Sequence, residues 1–97
     1  MPALADLTVT DFESHRGESF RLCAPDRELA LELVEVRRLG DSGRKDGAFS
    51  LLFRAAPGPF VPQAIYPIDH PALGTLELFI VPIGPLSGGN GYEIIFT

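Results

Sequence analysis

Three short runs decide how this chain folds: Phe49-Ser50-Leu51-Leu52-Phe53, Leu76-Glu77-Leu78-Phe79-Ile80-Val81 and Tyr92-Glu93-Ile94-Ile95-Phe96. Each is short and apolar at most positions, which fits strands rather than helices. Between the first and second runs lies a proline-punctuated segment from Pro57 to Pro71. No Lys or Arg follows Arg54, and Asp69, Glu77 and Glu93 are the only charged side chains beyond it. A segment so poor in charge is suited to burial or to contact with another surface. It is poorly suited to phosphate chemistry.

Working outward, the rest of the chain adds three more strands and one helix. Thr10-Asp11-Phe12-Glu13 has capping-box spacing, which predicts a short helix starting at Thr10, with Leu7, Val9 and Phe12 anchoring it. Gly17 is placed to end that turn in a left-handed conformation. Glu18 to Cys23 alternates, Phe20 and Leu22 against Ser19 and Arg21, so it reads as a strand. Pro25-Asp26 reads as a turn. Leu29, Leu31 and Leu33 then share one face, and Val34 and Val36 the other. That phase change predicts either a β-bulge near Leu33-Val34 or burial on both faces.

Gly40 to Gly47 is polar and flanked by glycine, an exposed hairpin loop. Ala48 to Arg54 is a strand with Phe49, Leu51 and Phe53 inward, and Gln63 to Ile68 is a short strand limited by Pro67. His70 to Gly74 is a turn, Thr75 to Ile83 a strand, Ile83 to Gly91 a loop and Tyr92 to Thr97 the last strand. The expected fold is all-β and mainly antiparallel: a small sandwich or barrel of five to seven strands with one short N-terminal helix. The 97 residues form a single domain, 1–97.

Composition excludes several function classes. The net charge is −5, divided as −2 over the first 54 residues and −3 over the last 43. Arg37-Arg38 and Arg44-Lys45 are interleaved with Glu32, Glu35, Asp41 and Asp46, so no cationic face for nucleic acid is expected. The run from Ala55 to Ile68 is uncharged but holds four prolines and cannot cross a membrane as a helix. Met1 to Asp6 has no basic region followed by a long apolar one, so no secretory signal is expected and the cytoplasm is the default location, with export by a non-standard route left open. Cys23 is the single cysteine and reads as a passive core or half-buried thiol.

Chemistry-bearing constellations are sparse. Gly88-Gly89-Asn90-Gly91 lacks the following helix and the Lys of a phosphate loop and reads as a hairpin loop. His15 and His70 are the only histidines, and the acidic residues close to them in sequence are Glu13 and Asp69. No metal site, and no cofactor, is expected from that spacing. No serine sits on a strand–turn–helix elbow, and no catalytic residue is assigned. Glu77 and Glu93 are the one pair of carboxylates on neighbouring strands. Their expected role is to keep an otherwise sticky sheet from associating edge to edge.

The sharpest candidate is Phe60-Val61-Pro62-Gln63-Ala64-Ile65-Tyr66-Pro67-Ile68. Gln63 can satisfy backbone groups that proline cannot, and Tyr66 offers an apolar body with a polar tip. One reading makes the segment a crossover strand fixed by Gln63. The other makes Phe60, Gln63, Tyr66 and His70 a surface for a protein partner.

Taken in order, Phe12…Gly17…Phe20, Leu29 to Val36, Phe49 to Phe53, Pro62 to Tyr66, His70-Pro71-Ala72-Leu73-Gly74, Leu78 to Pro82 and Tyr92 to Phe96 resemble a family of roughly hundred-residue bacterial domains of unknown function. The resemblance implies a small β-rich domain with no established activity and no catalytic residues to carry over. Genes of such domains accompany those of phage-tail-collar, microcystin-dependent-type proteins, which suggests a role in a tail-like assembly. The expected function is a non-enzymatic protein-binding or assembly module. Its rivals are a β-barrel carrying a small apolar ligand among Phe20, Leu31, Phe49 and Phe53, a hydrolase using Glu77 and Glu93, and a homodimer through Tyr92 to Thr97.

Overall fold

A computed structural model describes residues 8–40, 48–58 and 60–96. The expected hairpin loop at Asp41 to Gly47, and Leu7 among the helix anchors, lie outside these residues. The helix is α1 (Val9–Glu13), and the strands are β1 (Ser19–Cys23), β2 (Glu28–Gly40), β3 (Ala48–Ala55), β4 (Ala64–His70), β5 (Gly74–Leu86) and β6 (Gly89–Phe96). All pairings are antiparallel, and the strands run in the order β1-β2-β3-β6-β5-β4, with β4 returning to β1.

The ring is uneven. β2 and β3 pair from Glu32–Arg54 to Gly40–Ala48, but β1 and β4 meet only at Arg21–Asp69 and Leu22–Ile68. Strand β5 divides its partners: residues up to Ile80 pair with β4, and those from Val81 pair with β6. The result is a six-strand ring-like sheet of unequal seams rather than a regular barrel.

Period-two alternation places the core. Phe20, Leu22, Leu31, Leu33, Phe49, Leu51, Phe53, Ile80 and Tyr92 are all buried inside the ring. The bulge falls where the phase of β2 changes: Leu33 opposes Phe53 and Glu35 opposes Leu52, leaving Val34 as the extra residue. Val36 is thereby turned back onto the core, opposite Leu51.

Both ends of the ring are closed. Phe12 of α1 packs against Phe49 and Phe96, with ring centroids 5.8 and 5.4 Å apart, at the end where β3 begins and β6 finishes. At the other end the chain crosses from β3 to β4, past β6 and β5, through the proline-rich segment. Val61 is buried there, held by its amide donating to the Tyr92 hydroxyl at 3.0 Å.

Four local expectations are corrected. The helix is capped two residues earlier: the Thr8 amide donates to Asp11 Oδ2 at 2.8 Å, so Thr8 and Asp11, not Thr10 and Glu13, form the N-terminal box. Pro67 does not limit β4, which continues to His70. The β1 ladder reaches only Asp69 and Ile68, so Pro67 lies beyond it, where that edge needs no donor.

The stretch from Ile83 to Gly91 is not a loop but most of a hairpin turning at Ser87-Gly88, with Gly88 at φ 86°. β5 tolerates Pro82 and Pro85 because its β4-side ladder has ended at Ile80. Gly89 and Gly91 serve close packing rather than looseness. A Cβ on Gly89 would lie 1.9 Å from the Ala55 carbonyl oxygen.

Finally, among the described residues Gln63 does not fix the proline-rich turn. It is exposed and bonds to no described side chain or backbone group. Tyr66 Oη donates to the Pro62 carbonyl at 2.6 Å and Asn90 Nδ2 to the Gly58 carbonyl at 2.7 Å.

Candidate functional site

The four residues singled out from the sequence are not assembled into one surface. Phe60 is partly exposed and rests its ring edge-on against Tyr92 at 5.6 Å. Gln63 is exposed nearby, whereas Tyr66 is buried in the core except for its bonded hydroxyl. His70 lies at the far end of β4, four residues and about 13 Å along the strand from Tyr66.

His70 instead belongs to a cluster that no local spacing announces. Its Nε2 is 2.7 Å from Glu18 Oε1, and the same oxygen is 3.0 Å from His15 Nδ1. The two imidazole rings are 4.4 Å apart, and Phe20 covers the other side of His70 at 4.5 Å. Three donor atoms, one from each residue, lie within 4.8 Å of one another. His70 is buried, His15 half-buried and Glu18 half-exposed, so the cluster opens to solvent on the Glu18 side.

Local chain geometry explains the Glu18 position. Gly17 takes φ 88° and the Glu18 amide closes a turn on the His15 carbonyl at 3.0 Å, so residues three apart face the same way. Gly17 then donates to the Leu33 carbonyl and Leu33 to that of Glu18, which fixes the turn to β2. On the β4 side, the Ala72 amide donates to His70 Nδ1 at 3.0 Å. Nδ1 is therefore an acceptor, and Nε2 carries the N–H donated to Glu18. The His70 bond, then that from His15, holds the Glu18 carboxyl below its ordinary value of 4.5, against the opposing effect of desolvation.

Asp69 points to the opposite face of β4, as adjacent strand residues must. It accepts from Thr75 Oγ1 and from Arg21 Nη2, the latter at 2.6 Å, and the Cys23 thiol is 3.8 Å away. These bonds, Thr75's first, hold its carboxyl below the ordinary 3.8. The network braces the seam where β1 and β4 share only two residue pairs.

Glu77 and Glu93 are not brought together. Glu77 opposes Pro67 whereas Glu93 opposes Val81 and Leu52, so the two carboxylates are four β5 residues, about 13 Å, apart along the sheet. That exceeds the spacing glycoside hydrolysis uses. Among the described residues, no serine bonds to either histidine. The interior positions Phe20, Leu31, Phe49 and Phe53 are packed, each at most 2% exposed, with Phe20 and Phe53 edge to face at 5.3 Å.

The outer surface offers a different feature. Ile65 is 64% exposed and Phe79 51%, and they are direct cross-strand partners on β4 and β5. Glu77 precedes Phe79 by two residues on the same face, and Glu93, opposite Val81, lies on its other side. Ile95, 53% exposed, follows on β6. Alternation alone could have found this pair, since Tyr66 and Ile80 inward require Ile65 and Phe79 outward.

Fold and surface together define a small antiparallel β-ring domain closed by a helix at one end and a proline segment at the other. The chain belongs to the family described as Domain of unknown function (DUF6916), whose model matches residues 7–96. No curated protein and no solved structure matches it.

Proposed function

We propose that this domain is a non-enzymatic protein-binding or assembly module whose contact face is the outer surface of β4 and β5. The observation that carries the reading is the Ile65–Phe79 pair, two large apolar side chains more than half exposed and directly opposite each other. Scattered apolar residues on a surface are ordinary, but a cross-strand pair between carboxylates forms a small apolar patch with a polar rim. Its chemistry specifies the partner: an apolar socket edged by Lys or Arg. A second copy of the chain fits poorly, because two-fold pairing would bring Glu77 and Glu93 against their own counterparts. A tail-collar-type protein, which the family resemblance suggests, is the first partner to test.

The packed interior counts against the apolar-ligand carrier. The test is quantitative capture of the purified collar-type protein by wild-type domain and by the double variant Ile65→Ser, Phe79→Ser. Exposed positions should tolerate serine with little loss of stability. Capture lost in this variant but kept in Phe60→Ala, Gln63→Ala supports the face. Capture that survives the double variant, or that the wild type never shows, removes this face as its basis.

A further inference from the structure

We propose that His15, Glu18 and His70 form a binding site for a divalent transition-metal ion of the zinc type. The proposal does not depend on the protein-binding reading. Two imidazoles and one carboxylate are a donor set that zinc, cobalt and nickel share, and three protein ligands leave a coordination position for water. The donors come from separate places, the end of the α1 turn, the approach to β1 and the end of β4, and they converge although Glu18 and His70 are 52 positions apart in the chain. Zinc needs its ligand atoms about 2.0–2.2 Å from the ion. The present atoms already lie within 4.8 Å of each other. Small rotations of the half-exposed Glu18 and His15 suffice to close them, while packing against Phe20 holds His70 in place.

Three contacts must change. In the metal-free form His70 Nε2 bears the proton and Nδ1 accepts from Ala72. Coordination through Nε2 requires its lone pair, so the proton moves to Nδ1 and the Ala72 amide must turn away to water. Ala72 is exposed in the Pro71–Leu73 turn, where such a turn-away meets little resistance. His15 Nδ1, which donates to the Glu18 carboxylate at 3.0 Å, likewise has to pass its proton to Nε2 before its lone pair can meet the ion, and Glu18 exchanges two hydrogen bonds for one bond to the metal. The ion then ties the α1–β1 turn to the β4–β5 hairpin, beside the seam that β1 and β4 hold with two residue pairs.

His15 and His70 are the chain's only histidines, and Cys23 its only cysteine, so variants of an untagged protein read cleanly. Zinc chloride alone is titrated into the untagged domain by calorimetry, and cobalt binding is followed by visible absorption. The expected result is one ion per chain, with affinity reduced at least tenfold in both His15→Ala and Glu18→Gln. His70 is buried, so its substitution could disturb the fold and is not used. An independent readout is the Ala72 amide, whose hydrogen exchange should quicken when zinc binds, a change that nonspecific surface binding would not produce. A wild type with no saturable binding, or variants that bind as tightly as it does, would overturn the site. Binding without a change at Ala72 would overturn the assignment of His70 as a ligand.

Discussion

The tyrosine that closes one end of the ring supports a sharp prediction. Tyr92 is fully buried, and its hydroxyl accepts the Val61 amide at 3.0 Å. Val61 is also buried, 2% exposed, so Tyr92→Phe leaves an amide N–H away from water with no partner. Such an orphaned donor costs about 1–3 kcal/mol. For a domain of this size each kcal/mol lowers Tm by roughly 4–8 °C. The control is Tyr66→Phe, which removes the hydroxyl bonded to the Pro62 carbonyl at 2.6 Å. Pro62 is exposed, so water can take over that carbonyl and the loss is nearer a net hydrogen bond, about 0.5–1.5 kcal/mol. Urea unfolding followed by circular dichroism, with equal denaturant slopes, should rank Tyr92→Phe as the more damaging change. If Tyr66→Phe proves the costlier, or Tyr92→Phe is neutral, the proline segment is not anchored through Val61.

Two neighbouring glycines should differ in the same assay. Gly89→Ala would drive a methyl to 1.9 Å from the Ala55 carbonyl oxygen, forcing β3 and β6 apart, and should cost more than about 3 kcal/mol. Gly88→Ala has open space and only its φ of 86° to contend with, about 1–2 kcal/mol. In acid, Asp69 adds a pH-dependent component. Its folded value lies below the ordinary 3.8, so its contribution is complete above that pH and fades as pH falls through the folded value. Asp69→Asn should therefore flatten the acid limb of the stability–pH curve, and an unchanged limb would show that Thr75 and Arg21 do not stabilise its charge.

What the sequence made legible was whatever a two-residue period encodes. Phe49, Leu51 and Phe53 point inward as their alternation requires, and the slip between Leu33 and Val34 marks a real bulge. Misreading arose where one residue type serves two purposes. Glycine at 89 and 91 looked like freedom to turn, but there it makes room for Ala55 and Leu86 in a close strand packing. Pro67 looked like the limit of its strand, yet it lies where one edge of β4 has run out of ladder, as Pro82 and Pro85 do on β5. Proline removes an amide hydrogen-bond donor, not a strand, and only the topology tells which edge is open.

The cluster at Glu18 was illegible for a related reason. Sequence spacing finds partners that share an element, and it directed attention to Glu13 beside His15 and to Asp69 beside His70. Asp69 fails because adjacent strand residues diverge, and it bonds Arg21 and Thr75 on the other face. Glu18 succeeds because the left-handed Gly17 reverses the chain between it and His15, while β1 returns to β4 across the ring's narrowest seam. A local signal existed in the His15-x-Gly17-Glu18 turn, which alone puts a carboxylate on an imidazole. The second imidazole arrives only through closure of the ring, so the site is a property of the topology and its chemistry should vanish wherever the β1–β4 seam is opened.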